Sequence, residues 1–259
     1  SPFLRKNDSE PGLSSSSVCD MQVPQPRRSA PLPPGSLLAA RIPRPLATLT
    51  LDGRSLTLDD LAPLFRGDSP KVKLAPAALA RVAAARALVE RAVESGNPIY
   101  GLTTGFGKLK NVFIERADLG KLQRNLVLSH CCGMGEPMPL EEVRAVQVLR
   151  LNKLLRGHSG VRVELVEALA RLLNKGFVPL VPQQGSVGAS GDLAPLAHMA
   201  AAYMGHGEAY VGGKKMSASA ALRVVHEEPL ELAAKEGLAL INGTEVIGAI
   251  GAGVFLRAR

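Results

Sequence analysis

The sequence has no tryptophan, and aromatic residues make up only 3% of its 259 residues. Large rings therefore fill little of the interior. Alanine and leucine are left to form the core, which favours packed helices over a β sandwich, because sandwich strands are rich in aromatic and β-branched residues.

Cysteines are also few, and they stand at Cys19, Cys131 and Cys132. This number and spacing suit neither a disulfide framework nor a CxxC metal site. We therefore expect no metal ion and a reducing, cytoplasmic location. The sequence begins without methionine and without an apolar signal segment, so secretion is unsupported and the chain is expected to be part of a longer polypeptide.

The net charge of +8 is not concentrated in any basic run interleaved with aromatic residues. Such runs are what nucleic-acid-binding surfaces require, so we expect no nucleic-acid partner. Nine of the 19 prolines lie in residues 1–45, together with the run Ser14 to Ser17. That composition cannot bury enough apolar surface to offset its ordering entropy, and it predicts a disordered tail over 1–45.

From residue 46 onward the patterns predict a mainly α protein with small β-hairpins. The segment LATLTLDGRSLTL alternates around Asp52-Gly53 and predicts a hairpin, as does AYVGGKKMS around Gly212-Gly213. Apolar residues at helical spacing predict helices over 76–96, 141–155 and 161–174.

The segment from Leu238 to Leu256 is apolar on nearly all sides. A membrane-spanning helix is one interpretation, since about 20 apolar residues suffice to span a bilayer. Asn242 and Glu245 argue against it, because an unpaired carboxylate within a membrane is costly. We therefore predict a buried helix of a larger bundle and no membrane partner.

The stretch GSVGASGDLAPLAHM, residues 185–199, places one serine among three glycines. A loop before a helix is the simplest interpretation. A hydrolase nucleophile is excluded, because its elbow needs Gly-x-Ser-x-Gly and this spacing differs. Nor does GLTTGFGK at 101–108 match the spacing of a phosphate-binding loop. A further possibility is that the Gly191 nitrogen attacks the Ala189 carbonyl, and that two dehydrations, the second at Ser190, leave an electrophilic ring.

The same stretch resembles the signature of the histidine and aromatic amino acid ammonia-lyases. Four more blocks resemble that family in order: YGLTTGFGKL at 100–109, LQRNLVLSHCCGMGEP at 122–137, RGHSGVR at 156–162 and LAAKEGLALINGT at 232–244. The resemblance implies an aspartase/fumarase-like helical fold in which 46–231 form an N-terminal domain and 232–259 begin a central bundle that is truncated here. It also implies a homotetramer.

The activity implied is elimination of ammonia from an amino acid, bound as a small-molecule substrate. Residues Ala189, Ser190 and Gly191 would form the 4-methylidene-imidazol-5-one (MIO) group, which makes the substrate amine a better leaving group, while Tyr100 would be the catalytic tyrosine. Asn242 would contact the ring or the substrate, and Gly107 belongs to the tyrosine block. The carboxylate of Asp192 would cap the helix that it opens, or assist ring closure.

The pair Ser129-His130 would select the substrate side chain, and Ser-His at this position is typical of the histidine branch. The resemblance thus predicts conversion of L-histidine to trans-urocanate. Tyrosine or phenylalanine lyases, aminomutases and an inactive helical scaffold stay open as alternatives. His198 is interpreted as a structural histidine. We expect a polypeptide ending at 259 to be inactive alone, since the family's further substrate-binding residues would follow it.

Overall fold

The computed structural model of the protein describes residues 48–96, 99, 102–104, 114–115, 118–188 and 191–259. The predicted tail at 1–45 lies outside this part of the chain, and the predicted boundary at 231–232 stays a prediction. The described helices are α1 Leu58–Phe65, α2 Pro76–Glu94, α3 Leu119–Ser129, α4 Leu140–Leu154, α5 Val163–Asn174, α6 Leu193–Tyr203, α7 Ala218–Val224, α8 Glu236–Ile241 and α9 Glu245–Ala258. The described strands are β1 Thr48–Leu51, β2 Lys71–Leu74, β3 Met134–Pro137, β4 Val178–Pro179, β5 Pro182–Gln184, β6 Glu208–Val211 and β7 Lys214–Ser217.

Helices dominate, so the predicted mainly α class is confirmed. The three predicted helices are found as α2, α4 and α5, each within a few residues of its predicted bounds. Pro76 occupies the first turn of α2, where its missing N–H costs nothing. After this helix Gly96 takes a φ of 66°, a conformation that ends helices and favours glycine.

The predicted hairpin at Asp52-Gly53 is wrong. Strand β1 pairs instead with β2 in parallel, Leu51 opposite Leu74. The Asp52 side chain accepts hydrogen bonds from the backbone of Arg54 and Ser55, both at 2.8 Å, and turns the chain away. Downstream, Thr57 and Asp60 form a capping box that starts α1 where a returning strand was expected.

The hairpin predicted at Gly212-Gly213 is confirmed, because β6 and β7 pair antiparallel across these two residues. Their φ values of 58° and 77° are those of a turn with two left-handed residues. Strand β4 joins the other side of β6, which gives a three-stranded sheet in the order β4-β6-β7. A second small sheet pairs β3 with β5 and ties the segment after α3 to the segment before α6.

Most of the described core is one large cluster of apolar side chains in which α4 has a central position, and a smaller cluster is formed by Val89, Leu102, Leu119 and Ala234. Helix α4 packs against α1, α5 and α9, while α3, α6 and α8 pack on one another. The largest fully buried apolar side chains come from across the chain, and include Phe177, Leu151, Leu154, Leu196, Leu222 and Ile241. Burial of that size supplies the main favourable free energy of folding.

The apolar C-terminal segment is two helices rather than the single buried helix that was predicted. Helix α8 ends at Ile241, and α9 begins at Glu245 after a short break. Ile247, Ile250, Val254 and Phe255 on α9 are exposed, so that helix is apolar on its solvent side as well. By length and hydropathy alone, residues 236–258 are the one described segment that could cross a membrane, a test that core helices of soluble proteins also pass.

Candidate active site

The loop before α6 brings together Gly188, which precedes the predicted ring residues, and Gly191, the last of them. The Gly191 N–H donates to the Gly188 carbonyl oxygen at 3.1 Å, so the chain bends as sharply as the sequence suggested. The backbone φ of Gly191 is 142°, a value that residues with a Cβ rarely adopt. Ala189 and Ser190 themselves lie outside the described residues.

Gly191 is packed against the break between α8 and α9. A Cβ on Gly191 would lie 2.9 Å from the Asn242 Oδ1 atom and 3.2 Å from both the nitrogen and the oxygen of Gly243. A side chain at 191 would fit only if the Asn242 side chain and the Gly243 backbone shifted. The structure therefore brings together two of the predicted site residues, Gly191 and Asn242, and gives a steric reason for glycine at 191.

The buried carboxylate of Asp192 joins this loop to the start of α9. Its Oδ2 accepts hydrogen bonds from the N–H groups of Val246 at 3.0 Å and Ile247 at 3.1 Å. The other oxygen, Oδ1, accepts from the Ser186 hydroxyl at 2.7 Å. The Asp192 N–H in turn donates to the Gly243 carbonyl at 2.6 Å. Four hydrogen bonds thus hold a residue with no solvent exposure.

The prediction that Asp192 caps its own helix is wrong. Asp192 is the residue before α6, but its side chain makes no hydrogen bond to that helix. Its φ of −88° and ψ of 56° differ from the extended conformation of a capping residue, so the carboxylate is directed to another helix start. The carboxylate caps α9, where its negative charge is also favourable to the helix dipole.

A buried arginine lies behind the break between α8 and α9. Arg150 of α4 donates to the Asn242 carbonyl at 3.2 Å and to Glu245 Oε2 at 2.9 Å. Burial lowers the pKa of its guanidinium, and the adjacent Glu245 carboxylate opposes that shift. Neither Arg150 nor Ser186 was singled out from sequence. Helix 140–154 contains five charged residues, so no signal in the sequence separates Arg150 from the other four.

Ser129 and His130 end α3, and their side chains interact with each other. The Ser129 hydroxyl donates to the Leu126 carbonyl at 2.9 Å and lies 3.2 Å from His130 Nδ1. Nδ1 is also 2.8 Å from the Leu126 carbonyl oxygen, which can only accept. Nδ1 is therefore the donor to that carbonyl, which leaves Nε2 as the acceptor whenever the ring carries one proton. Among the described residues, no hydrogen bond joins this pair to Gly191 or Asn242.

The segment that follows Ser129-His130 is attached to the signature stretch, residues 185–199, through Gly133 and His198. The Gly133 N–H donates to His198 Nε2 at 3.0 Å. A Cβ on Gly185 would lie 3.0 Å from the Gly133 Cα, so the two segments pass with no space between them. His198 is thus engaged in a structural contact. Tyr100 and Gly107 lie outside the described residues, and their roles stay predictions.

We expect protonation of His198 to loosen this attachment. Burial lowers the His198 pKa below its ordinary value of 6.5, so the folded state prefers the neutral ring. The stability gained from neutral His198 is present above pH 6.5 and is lost as the pH falls through the lower folded pKa. His198→Gln should therefore show a smaller fall in Tm than the wild type between about pH 8 and pH 5.

The matched control for this pH experiment is His158→Gln, because His158 is an exposed histidine. Its pH dependence of Tm should follow that of the wild type. Equal slopes in all three proteins would show that His198 does not carry the effect.

Comparison with known proteins places this arrangement in a class. The sequence profile described as aromatic amino acid lyase matches residues 56–259, and the protein therefore belongs to that family. The histidine ammonia-lyase of Myxococcus xanthus (strain DK1622) is 49% identical over 210 residues, which are 81% of this chain and 41% of the relative. The predicted resemblance is confirmed.

Solved structures share the fold. The crystal structure of histidine ammonia-lyase from Trypanosoma cruzi is similar with a TM-score of 0.76 at 41% identity, covering 82% of this chain and 40% of that one. Tyrosine aminomutase from Streptomyces globisporus gives a TM-score of 0.73 at 36% identity, covering 80% and 38%. The chain thus spans about two fifths of the length of these relatives.

Proposed function

We propose that the polypeptide containing these residues is a histidine ammonia-lyase, which eliminates ammonia from L-histidine to give trans-urocanate. The observation that carries the proposal is the position of Gly191. It directly follows Ala189-Ser190, it has no space for a Cβ, and it lies against Asn242 in a member of the aromatic amino acid lyase family.

The residues present fit an MIO group at 189–191. Ring closure needs a glycine nitrogen that can approach a carbonyl carbon without obstruction, and Gly191 supplies one. The buried Asp192 and the break after α8 hold the C-terminal side of the triplet in place. When formed, the group supplies an electrophile that withdraws electrons from the substrate amine.

Other residues of the chain would bind the substrate and move its proton. Tyr100, matched only through its sequence block, would take the proton from the carbon next to the amine-bearing carbon. His130 would offer its unprotonated Nε2 to an N–H of the substrate imidazole, since Nδ1 is already held by the Leu126 carbonyl. A site with such an acceptor rejects a bare phenyl ring, which has no donor.

An aminomutase is the second candidate, because a tyrosine aminomutase shares the fold with a TM-score of 0.73. The sequence favours the lyase, since identity is 49% to the histidine ammonia-lyase and 36% to the aminomutase. We further propose a homotetramer in the cytoplasm whose partner is a small-molecule amino acid substrate, with no nucleic acid, membrane or metal taking part.

The test uses the complete natural polypeptide that contains these residues. Mass spectrometry of the peptide covering 185–199 should show the loss of two waters. Incubation with L-histidine should release ammonia and a conjugated acid, with kcat/KM at least about a hundredfold above that for tyrosine or phenylalanine, as expected for a site with a matched polar partner.

The peptide covering 156–162 is an internal control, because its Ser159-Gly160 pair lies outside the signature and should keep its full mass. An unmodified 185–199 peptide would refute the lyase and favour the inactive scaffold. A β-amino acid product without free ammonia would favour the aminomutase.

A further inference from the structure

Arg150 is a buried cation that the roles above leave unused. Only 3% of the residue is exposed, and arginine is rarely so buried unless its charge is paired and its N–H groups have acceptors. Its partners are the Glu245 carboxylate at 2.9 Å, the Asn242 carbonyl at 3.2 Å and 3.3 Å, and the Ala239 carbonyl. One guanidinium therefore spans the break between two helices.

These partners are the groups that need a cation at this point of the fold. The carbonyls of Ala239 and Asn242 belong to the end of α8, where they lack helical N–H donors and carry the negative end of the helix dipole. Glu245 is the first residue of α9. A planar fork of donors can satisfy all three at once, which a single ammonium cannot do.

Gly243 lies directly on this group of charges. A Cβ at this position would clash with the Arg150 guanidinium and the Glu245 carboxylate, and it would lie 2.7 Å from Lys153 Nζ. The backbone of the break therefore packs closely against the ion pair at Gly243.

The Asn242-Gly243 segment also contacts the loop before α6, which contains Gly191. The Asn242 Oδ1 atom lies 2.9 Å from the position of a Cβ on Gly191, and the Gly243 carbonyl accepts the Asp192 N–H at 2.6 Å. Any rotation of the Asn242-Gly243 peptide thus moves a group in contact with Gly191. The Asn242-Gly243 segment therefore contacts both Arg150 and the residues around Gly191.

We infer that Arg150 is a positioning residue for the active site, because it holds the Asn242-Gly243 segment in the position in which Asn242 and Asp192 pack around Gly191. The inference rests on the proposed function for its catalytic consequence. Its structural consequence, an ordered break between α8 and α9, is independent of which reaction the site performs.

The test compares Arg150→Met with Arg162→Met in the complete polypeptide. Arg162 makes an ion pair with the fully buried Glu236, at 2.8 Å, but its side chain is more exposed than that of Arg150, and its hydrogen bonds reach residues 231 and 236 rather than the break. Both variants remove a cation from a buried carboxylate, and Glu245 keeps a second ion pair with Lys153 at 3.1 Å. A loss of activity confined to Arg150→Met would therefore not come from an unpaired carboxylate alone. Only Arg150→Met should disturb Asn242 and Gly243.

Three measurements separate positioning from stability. In Arg150→Met, kcat for L-histidine should fall about tenfold to a hundredfold, as misplacement of catalytic groups does, with KM changed less than about threefold. Amide hydrogen exchange over 242–247 should become faster. The fraction of the 185–199 peptide that has lost two waters should fall. In Arg162→Met, all three should stay close to the wild type.

Arg150→Lys is the conservative variant, and it should recover part of the lost kcat because it still donates to one acceptor. If Arg150→Met does not fold, Arg150→Lys is decisive with the same three measurements. Unchanged exchange over 242–247, or equal losses in the Arg150 and Arg162 variants, would overturn the inference. Faster exchange in the Arg150 variants, with a wild type that releases no ammonia, would support positioning and refute the lyase.

Discussion

Gly191→Ala should abolish ring formation and reduce ammonia release by about a thousandfold or more, which corresponds to ~4 kcal/mol of lost transition-state stabilisation. The new methyl group would lie 2.9 Å from Asn242 Oδ1 and 3.2 Å from two backbone atoms of Gly243. The backbone at residue 191 is restrained from moving away from these atoms, because the N–H of the next residue, Asp192, donates to the Gly243 carbonyl at 2.6 Å. The peptide covering 185–199 should therefore keep its full mass.

Gly188→Ala is the matched control in the same loop. Gly188 also has a positive φ, 73°, in the left-handed region where a Cβ costs about 1–2 kcal/mol. A Cβ there would meet nothing within 4 Å. This variant should form the ring and keep most of its activity. A fully dehydrated Gly191→Ala protein would show that the contact with Asn242 and Gly243 is not what requires glycine.

Asp192→Ala should destabilise the fold by about 3 kcal/mol or more, and lower the Tm by roughly 10 °C. The substitution leaves the N–H groups of Val246 and Ile247 without the oxygen that they share, and it removes the acceptor of Ser186. A buried donor without a partner costs its full desolvation energy. Thermal unfolding followed by circular dichroism measures the change.

Asp52→Ala is the control for this second experiment, because the Asp52 carboxylate also accepts two backbone N–H groups but lies at the surface. Water can replace that acceptor, so the fall in Tm should be much smaller. Asp192→Asn should lie between the two, since an amide oxygen can still accept from α9 but the negative charge at the helix start is lost. Equal Tm values for Asp52→Ala and Asp192→Ala would contradict the role assigned to the buried cap.

Features that depend on neighbouring residues were predicted correctly. The helices at 76–94, 140–154 and 163–174 follow from apolar spacing and terminal residues, and the turn at Gly212-Gly213 follows from two residues that tolerate positive φ. The family blocks were also legible, because ring chemistry needs its three residues consecutive in sequence. None of these features requires knowledge of a distant contact.

Each error involves a partner far apart in the chain, although the Asp52 turn and the Thr57-Asp60 capping box that replace the predicted hairpin are local. The pattern around Asp52 resembles a hairpin, but β1 pairs in parallel with β2, so that Thr50 lies opposite Lys73 and Leu51 opposite Leu74. The single apolar helix expected over 238–256 is broken because Asn242 and Gly243 meet the loop at Gly191 and the charge of Arg150. A local pattern contains no information about either contact.

The amino-acid sequence by itself determined the helical periodicity, the tight turns and the presence of an Ala-Ser-Gly triplet that could cyclise. Each of these depends on the conformations open to a few adjacent residues. Only the tertiary structure decided which helix Asp192 caps, 54 residues away, and which carbonyl Arg150 binds, 92 residues away. Those choices follow from burial: once packing removes water from a charge or an N–H group, the group must bind whatever partner the fold brings within reach.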